Sequence, residues 1–132
     1  MEDLGKLLLR VTTAGLILFH GIHKIIFGIA FIGQGLAAMH LPAFIAYGVF
    51  LGEVVAPLFM IVGLWARYAS LVVVFNLIMA ILLEAHRNVL VVQRTGAWGL
   101  EAEAFFLLTA LVVFLVGAGR YAITKERRPT AA

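Results

Sequence analysis

Six residues in this sequence have types and positions suited to chemistry: His20, His23, Lys24, Glu53, Asn76 and Glu101. A carboxylic acid and an imidazole are the side chains best suited to give and take protons, which makes Glu53 and His20 the candidate catalytic groups. Lys24, as an ammonium, can pair with Glu53 or steady a developing oxyanion. His20, His23 and Lys24 stand at i, i+3 and i+4, so on a helix they are neighbours on one side. His20-x-x-His23 also has the spacing of two helical metal ligands. Without a clear carboxylate as third ligand, a structural role for the histidines is favoured and no metal is expected.

The elements that position these groups follow from composition. Of 132 residues, 64% are hydrophobic and 13% charged, with a mean hydropathy of +1.08. A globule this small exposes much of its surface and needs a polar shell, which this chain cannot make. Lipid is the alternative solvent. A membrane span takes about 20 predominantly apolar residues, and four stretches qualify, at approximately 7–31, 43–65, 68–85 and 99–118. Gly33, Gln34 and Gly35 break the first from the second, and Pro42 stands where proline is tolerated at a helix start. The expected fold is therefore all-α: an integral membrane four-helix bundle, with residues 1–132 as a single domain. Glu2 and Asp3 replace the basic region of a signal peptide, so the first stretch is read as a retained span.

The chain has no cysteine, which excludes disulfides, thiolate metal sites and a thiol relay. Its net charge of +3 does not point to nucleic acid, because the basic residues are distributed as topology determinants. Lys6, Arg10, Arg67, Arg120, Lys125, Arg127 and Arg128 fall on one side; Arg87 and Arg94, with Lys24 inside the first span, fall on the other. The positive-inside rule then places both termini in the cytoplasm.

Counting about 1.5 Å per residue puts His20, Glu53 and Asn76 near the middle of their spans. Lys24 lies slightly outward of Glu53, within reach of a flexible stem. Charge inside a membrane is costly and finds partners within the protein, so a Lys24–Glu53 ion pair, direct or through water, is expected. Such a pair can equally serve only to fix helix register. Glu101 and Glu103 are about 200° apart on a helix; Glu101 is taken as the inward one, and Glu84, His86 and Glu103 as interfacial. His20 and His86 differ in depth, which argues against a haem held between them. Gly48-x-x-x-Gly52 invites close approach of a neighbouring helix, and Pro57, one turn after Glu53, removes a backbone hydrogen bond and bends its helix.

Phe19-His20-Gly21 followed by Lys24 resembles the first-helix signature of the DoxX family, and so does Glu53 followed by Gly63-Leu64-Trp65-Ala66-Arg67. Trp98-Gly99-Leu100-Glu101 and Gly117-Ala118-Gly119-Arg120-Tyr121 continue the likeness in order. The resemblance implies a small multi-pass protein of a prokaryotic inner membrane. It also implies a quinone-linked oxidoreductase subunit, or a part of an assembly with a soluble redox enzyme. The leading expectation is a quinone or similar small redox molecule bound in an outward-opening pocket, with Glu53 and His20 exchanging protons and Lys24, His23, Glu101 and Asn76 contacting the ligand. Lacking cysteine and a haem motif, the chain itself carries no electron carrier, so whether it is an enzyme stays open. The alternatives are a non-catalytic membrane anchor for a soluble redox protein, and a small-solute binding or transport protein; a homo-oligomer is compatible with each.

Overall fold

The computed structural model describes residues 1–125, apart from the side chain of His86. Arg127, Arg128 and Pro129, expected to end the basic tail, lie outside the described residues. Among the described residues the protein is all-α, without a strand; a single antiparallel bridge joins Val92 to Trp98 in a loop.

Helix α1 spans Glu2–Phe27. Its first turn carries Glu2 and Asp3, where unpaired backbone N–H groups favour negative charge, and Lys6 reaches back to Glu2 at 2.6 Å. The helix stops at Gly28, whose φ of 87° is open to glycine and strained for other residues. The break therefore comes earlier than Gly33–Gly35, which lie inside a short helix α2, Ala30–Ala38. Glycine within a helix costs only about 1 kcal/mol, less than the effect of a left-handed residue, so composition alone placed the break too late.

Helix α3 covers Ala43–Val62 and is not uniform. Pro42 precedes a 3₁₀ segment, Ala43–Tyr47, and the turn at Leu51–Val55 is a π-helix, with the Ala56 N–H donating to the Leu51 carbonyl. Proline is the physical cause: Pro57 has no N–H for the Glu53 carbonyl, and the backbone widens where that bond is missing. The expected bend thus takes the form of a π turn centred on Glu53. Helices α4, Ala66–Asn88, and α5, Glu101–Val116, complete the chain.

The long helices pack as neighbours in the pairs α1–α3, α3–α4, α4–α5 and α1–α5, while α2 lies against the start of α3 and touches α4. The central cluster is rich in small and branched side chains: Ala14, Ala56, Ala69, Val73, Val74, Ala110 and Val113. Lipid gives no hydrophobic drive for helix association, so close packing of small residues supplies it. Large apolar residues instead cover the outside, with Phe19, Phe27, Phe44 and Phe75 all exposed. Among the described residues three helical segments are long and apolar enough to cross a membrane: Glu2–Phe27, Ala43–Val62 and Ala66–Ala85. Helix α5 has 16 residues, about 24 Å.

At one end, the segment after α5 straps the helices together. Ile123 and Thr124 donate backbone N–H groups to the carbonyls of Val62 and Gly63 at 3.3 and 3.2 Å. The buried Arg10 donates to the Tyr121 carbonyl at 2.6 Å, and the Arg120 N–H donates to Asp3 at 3.1 Å. The Arg67 guanidinium packs beside Gly117, where a Cβ would come within 3.0 Å of it. Gly63 turns the chain with φ of 77°, and a Cβ there would run into Arg10 and Ala122. Gly63→Ala should therefore cost about 1–3 kcal/mol, read as a lowered thermal midpoint in detergent with the 121–124 amides losing exchange protection. Unchanged stability would mean that the strap contributes nothing.

Candidate functional site

Lys24, near the end of α1, places its Nζ 2.6 Å from both carboxylate oxygens of Glu53. Asn76, in the middle of α4, donates its Nδ2 to Glu53 Oε1 at 3.2 Å. Glu53 is 5% exposed. Three helices thus converge on one carboxylate, and the direct ion pair is the arrangement found.

Two glycines make the convergence sterically attainable. A Cβ on Gly21 would collide with the Glu53 carbonyl and Val54 Cγ2, so the bare glycine lets α1 settle against the π turn. A Cβ on Gly52 would meet the Asn76 side chain, so its absence brings α4 alongside. The two halves of Gly48-x-x-x-Gly52 therefore differ: Gly52 takes a neighbouring helix, and Gly48 has nothing within 4 Å of where a Cβ would sit.

A cavity of about 390 Å³ opens beside the pair, between α2, α3 and α4. Its walls are mainly apolar, including Ile32, Leu36, Ile45, Val49, Val72, Met79 and Leu83; its polar lining is Lys24, Glu53, Asn76, Glu84 and Glu103. Cavities of this size with apolar walls and a few convergent polar groups are the usual form of small-molecule sites. A second, smaller space of about 80 Å³ lies towards α5, lined by His20, Ile17, Leu77, Ala102 and Phe106. Lys24, Glu53, Ala80 and Glu103 border both spaces.

The six residues singled out by sequence divide in three. Lys24, Glu53 and Asn76 meet. His20 adjoins the smaller space, its ring edge-on to Phe106 at 5.8 Å between centroids, and is not among the residues of the larger cavity. His23 is exposed and packs against Phe27 at 4.5 Å, turned away from the pair. Glu101 is exposed, whereas Glu103 is half-buried and lines both cavities, which reverses the expected order of the two. Helix α5 is apolar nearly all round, so periodicity assigns it no inner face and gives no signal for Glu103; in the structure Glu103 lies seven residues before the buried Ala110. Glu84, expected at the interface, also borders the cavity and accepts a hydrogen bond from Asn88 at 2.9 Å.

Long apolar helices with a buried carboxylate and a half-buried ammonium and amide between them, next to an apolar cavity, define an integral membrane protein with an interior polar site. The DoxX family model matches residues 5–87, well over half the sequence. The protein belongs to the DoxX family. The match takes in Lys24, Glu53, Asn76 and Glu84 and ends before α5, so the likenesses at Trp98–Glu101 and Gly117–Tyr121 fall beyond it. No curated protein and no solved structure matches the sequence.

Proposed function

We propose that this protein is a quinone-binding subunit of a prokaryotic inner-membrane oxidoreductase system, holding the quinone in the 390 Å³ cavity. In this reading α1, α3, α4 and α5 form a transmembrane four-helix bundle with both termini in the cytoplasm, and a soluble redox partner supplies or removes electrons. The observation that carries the proposal is the junction of apolar walls with spare hydrogen-bond donors at the Lys24–Glu53–Asn76 cluster.

The donor count supports the fit. An ammonium has three N–H donors and an amide two. Lys24 directs two towards Glu53 and Asn76 directs one, so each retains a donor for a carbonyl oxygen of the ligand. Glu53 is the acceptor for a hydroxyl on the reduced form, and it can take up or release that proton. The apolar walls suit a hydrocarbon tail. When bound, the quinone supplies the reversible two-electron chemistry that no side chain here offers. His20, placed at the smaller cavity, adjoins the far side of the ion pair and would exchange protons with Glu53 instead of touching the ligand.

The test is organic extraction of the purified protein with quinone detection by mass spectrometry, on wild type and on Asn76→Leu. Leucine keeps the bulk of asparagine and removes the donor. One neutral hydrogen bond is worth roughly 0.5–1.5 kcal/mol, so retention should fall about two- to tenfold with helical content intact. Wild-type protein without quinone, or a variant that retains it fully, would refute the reading.

A further inference from the structure

We infer that the ligand of the large cavity enters sideways from the hydrocarbon core of the bilayer, through a mouth between α3 and α4 whose width is set by Gly48. The inference deepens the proposed function: it restricts the ligand to a molecule dissolved in the membrane, whatever its redox chemistry.

The exposure of the lining residues locates the mouth. Of the residues that border the cavity, those that are exposed are Phe31, Gly48, Leu51 and Phe75, with Phe31, Leu51 and Phe75 at 56%, 54% and 65%. None of these is polar. Every polar lining residue, from Lys24 and Glu53 to Glu84 and Glu103, is buried or half-buried. The cavity therefore reaches the surface over large apolar side chains, and its charged groups stay inside. A mouth serving a water-soluble solute would have the opposite pattern, because an apolar rim repels water and a polar rim guides it.

Depth agrees with exposure. Phe75 precedes Asn76 directly, and Leu51 stands two residues before Glu53, so the opening lies level with the ion pair. On α4, which spans Ala66–Asn88, Phe75 is about 14 Å from the nearer end, far from either headgroup region of a bilayer whose hydrocarbon is about 30 Å thick. Helix α2 closes the groove on the Glu84 side, where a Cβ on Gly35 would rest 3.4 Å from Leu83. That leaves the flank between α3 and α4, with Phe31 of α2 on its rim, as the way in.

Gly48 gains a role from this geometry. It packs against no neighbouring helix, and it lies one turn before Leu51 on the same face of α3. A Cβ there meets nothing within 4 Å, so a side chain has room to start into the opening that Gly48 lines.

The absence of cysteine allows single nitroxide labels at chosen positions. Full-length Leu51→Cys and Phe75→Cys proteins would be labelled, reconstituted in vesicles and relaxed with oxygen, which concentrates in lipid, or with a water-soluble nickel complex. Arg94→Cys in the loop serves as the aqueous control and Leu108→Cys on α5 as the lipid-facing control. Positions 51 and 75 should respond severalfold more to oxygen than to nickel, as position 108 does. A nickel response at 51 or 75 equal to that at 94 would overturn the lateral mouth. An isoprenoid quinone added to the bilayer should reduce oxygen access at 51 and not at 108, and Gly48→Leu should abolish that reduction. Persistence of the full reduction in Gly48→Leu would overturn the role of Gly48. The lipid-like accessibility with no quinone effect in any variant would uphold the mouth and count against the quinone reading alone.

Discussion

Glu53→Gln should destabilise the protein by about 3–5 kcal/mol, the range for breaking a buried ion pair by removing one partner. The cause lies in what remains. Lys24 keeps its place on α1, and its carboxylate counter-charge is gone. Lys24→Met alone should be comparably costly, because it strands the carboxylate of a residue that is only 5% exposed. The double variant Lys24→Met/Glu53→Leu should behave differently. Replacing a whole buried pair with apolar residues of similar volume is often neutral or favourable, so most of the loss should be recovered. Recovery should fall short of complete, since Asn76 loses the acceptor it reaches at 3.2 Å.

This cycle also separates two reasons for the pair to exist. If it only fixes the register of α1 against α3, the stable double variant should retain whatever the wild-type protein carries. If it forms the polar end of a ligand site, the double variant should be folded and empty. Thermal unfolding followed by circular dichroism in detergent, together with the extraction described above, measures both. Single and double variants that lose stability additively would show that the two side chains do not depend on each other, contrary to the 2.6 Å contacts.

How much of the site was legible in the sequence depended on the rule applied. Depth counting worked for Lys24, Glu53 and Asn76, because ionisable and amide groups in mid-span have few places to go except towards one another. Facing worked less well. Positions i, i+3 and i+4 are neighbours, yet they cover about 100° of the helix, wider than the contact α1 makes with Glu53. With Lys24 pointing inward, His20 lies about 40° and His23 about 100° away to the same side. That rotation is enough to put His20 beside the smaller cavity and His23 on the outside with Phe27. Helix α2 was missed for a different reason: a stretch of glycine and glutamine between apolar runs looks like a loop until the turn at Gly28 is known. The π turn had a visible cause in Pro57, but a missing hydrogen bond can be absorbed as a kink or as a widened turn, and the proline alone does not choose between them.

The packing of Gly21 against the Glu53 carbonyl carries the second large effect. Gly21→Ala should cost about 1–3 kcal/mol, the usual range for overpacking a close contact, whereas Gly15→Ala on the same helix should be neutral or stabilising by up to about 1 kcal/mol. Both substitutions raise helix propensity equally, so propensity cancels from the comparison. The difference is what the new methyl meets. At position 15 it meets nothing within 4 Å, and at position 21 it meets the carbonyl of Glu53 and, at 2.7 Å, Val54 Cγ2. Backbone cannot rotate away as a side chain can, so α1 and α3 must part. Lys24 lies one turn beyond Gly21, and its bonds to Glu53 lengthen with that separation. Gly21→Ala should therefore also weaken ligand retention, although residue 21 borders neither cavity. Equal thermal midpoints for the two alanine variants would show that α1 does not depend on the glycine contact for its seat on the π turn.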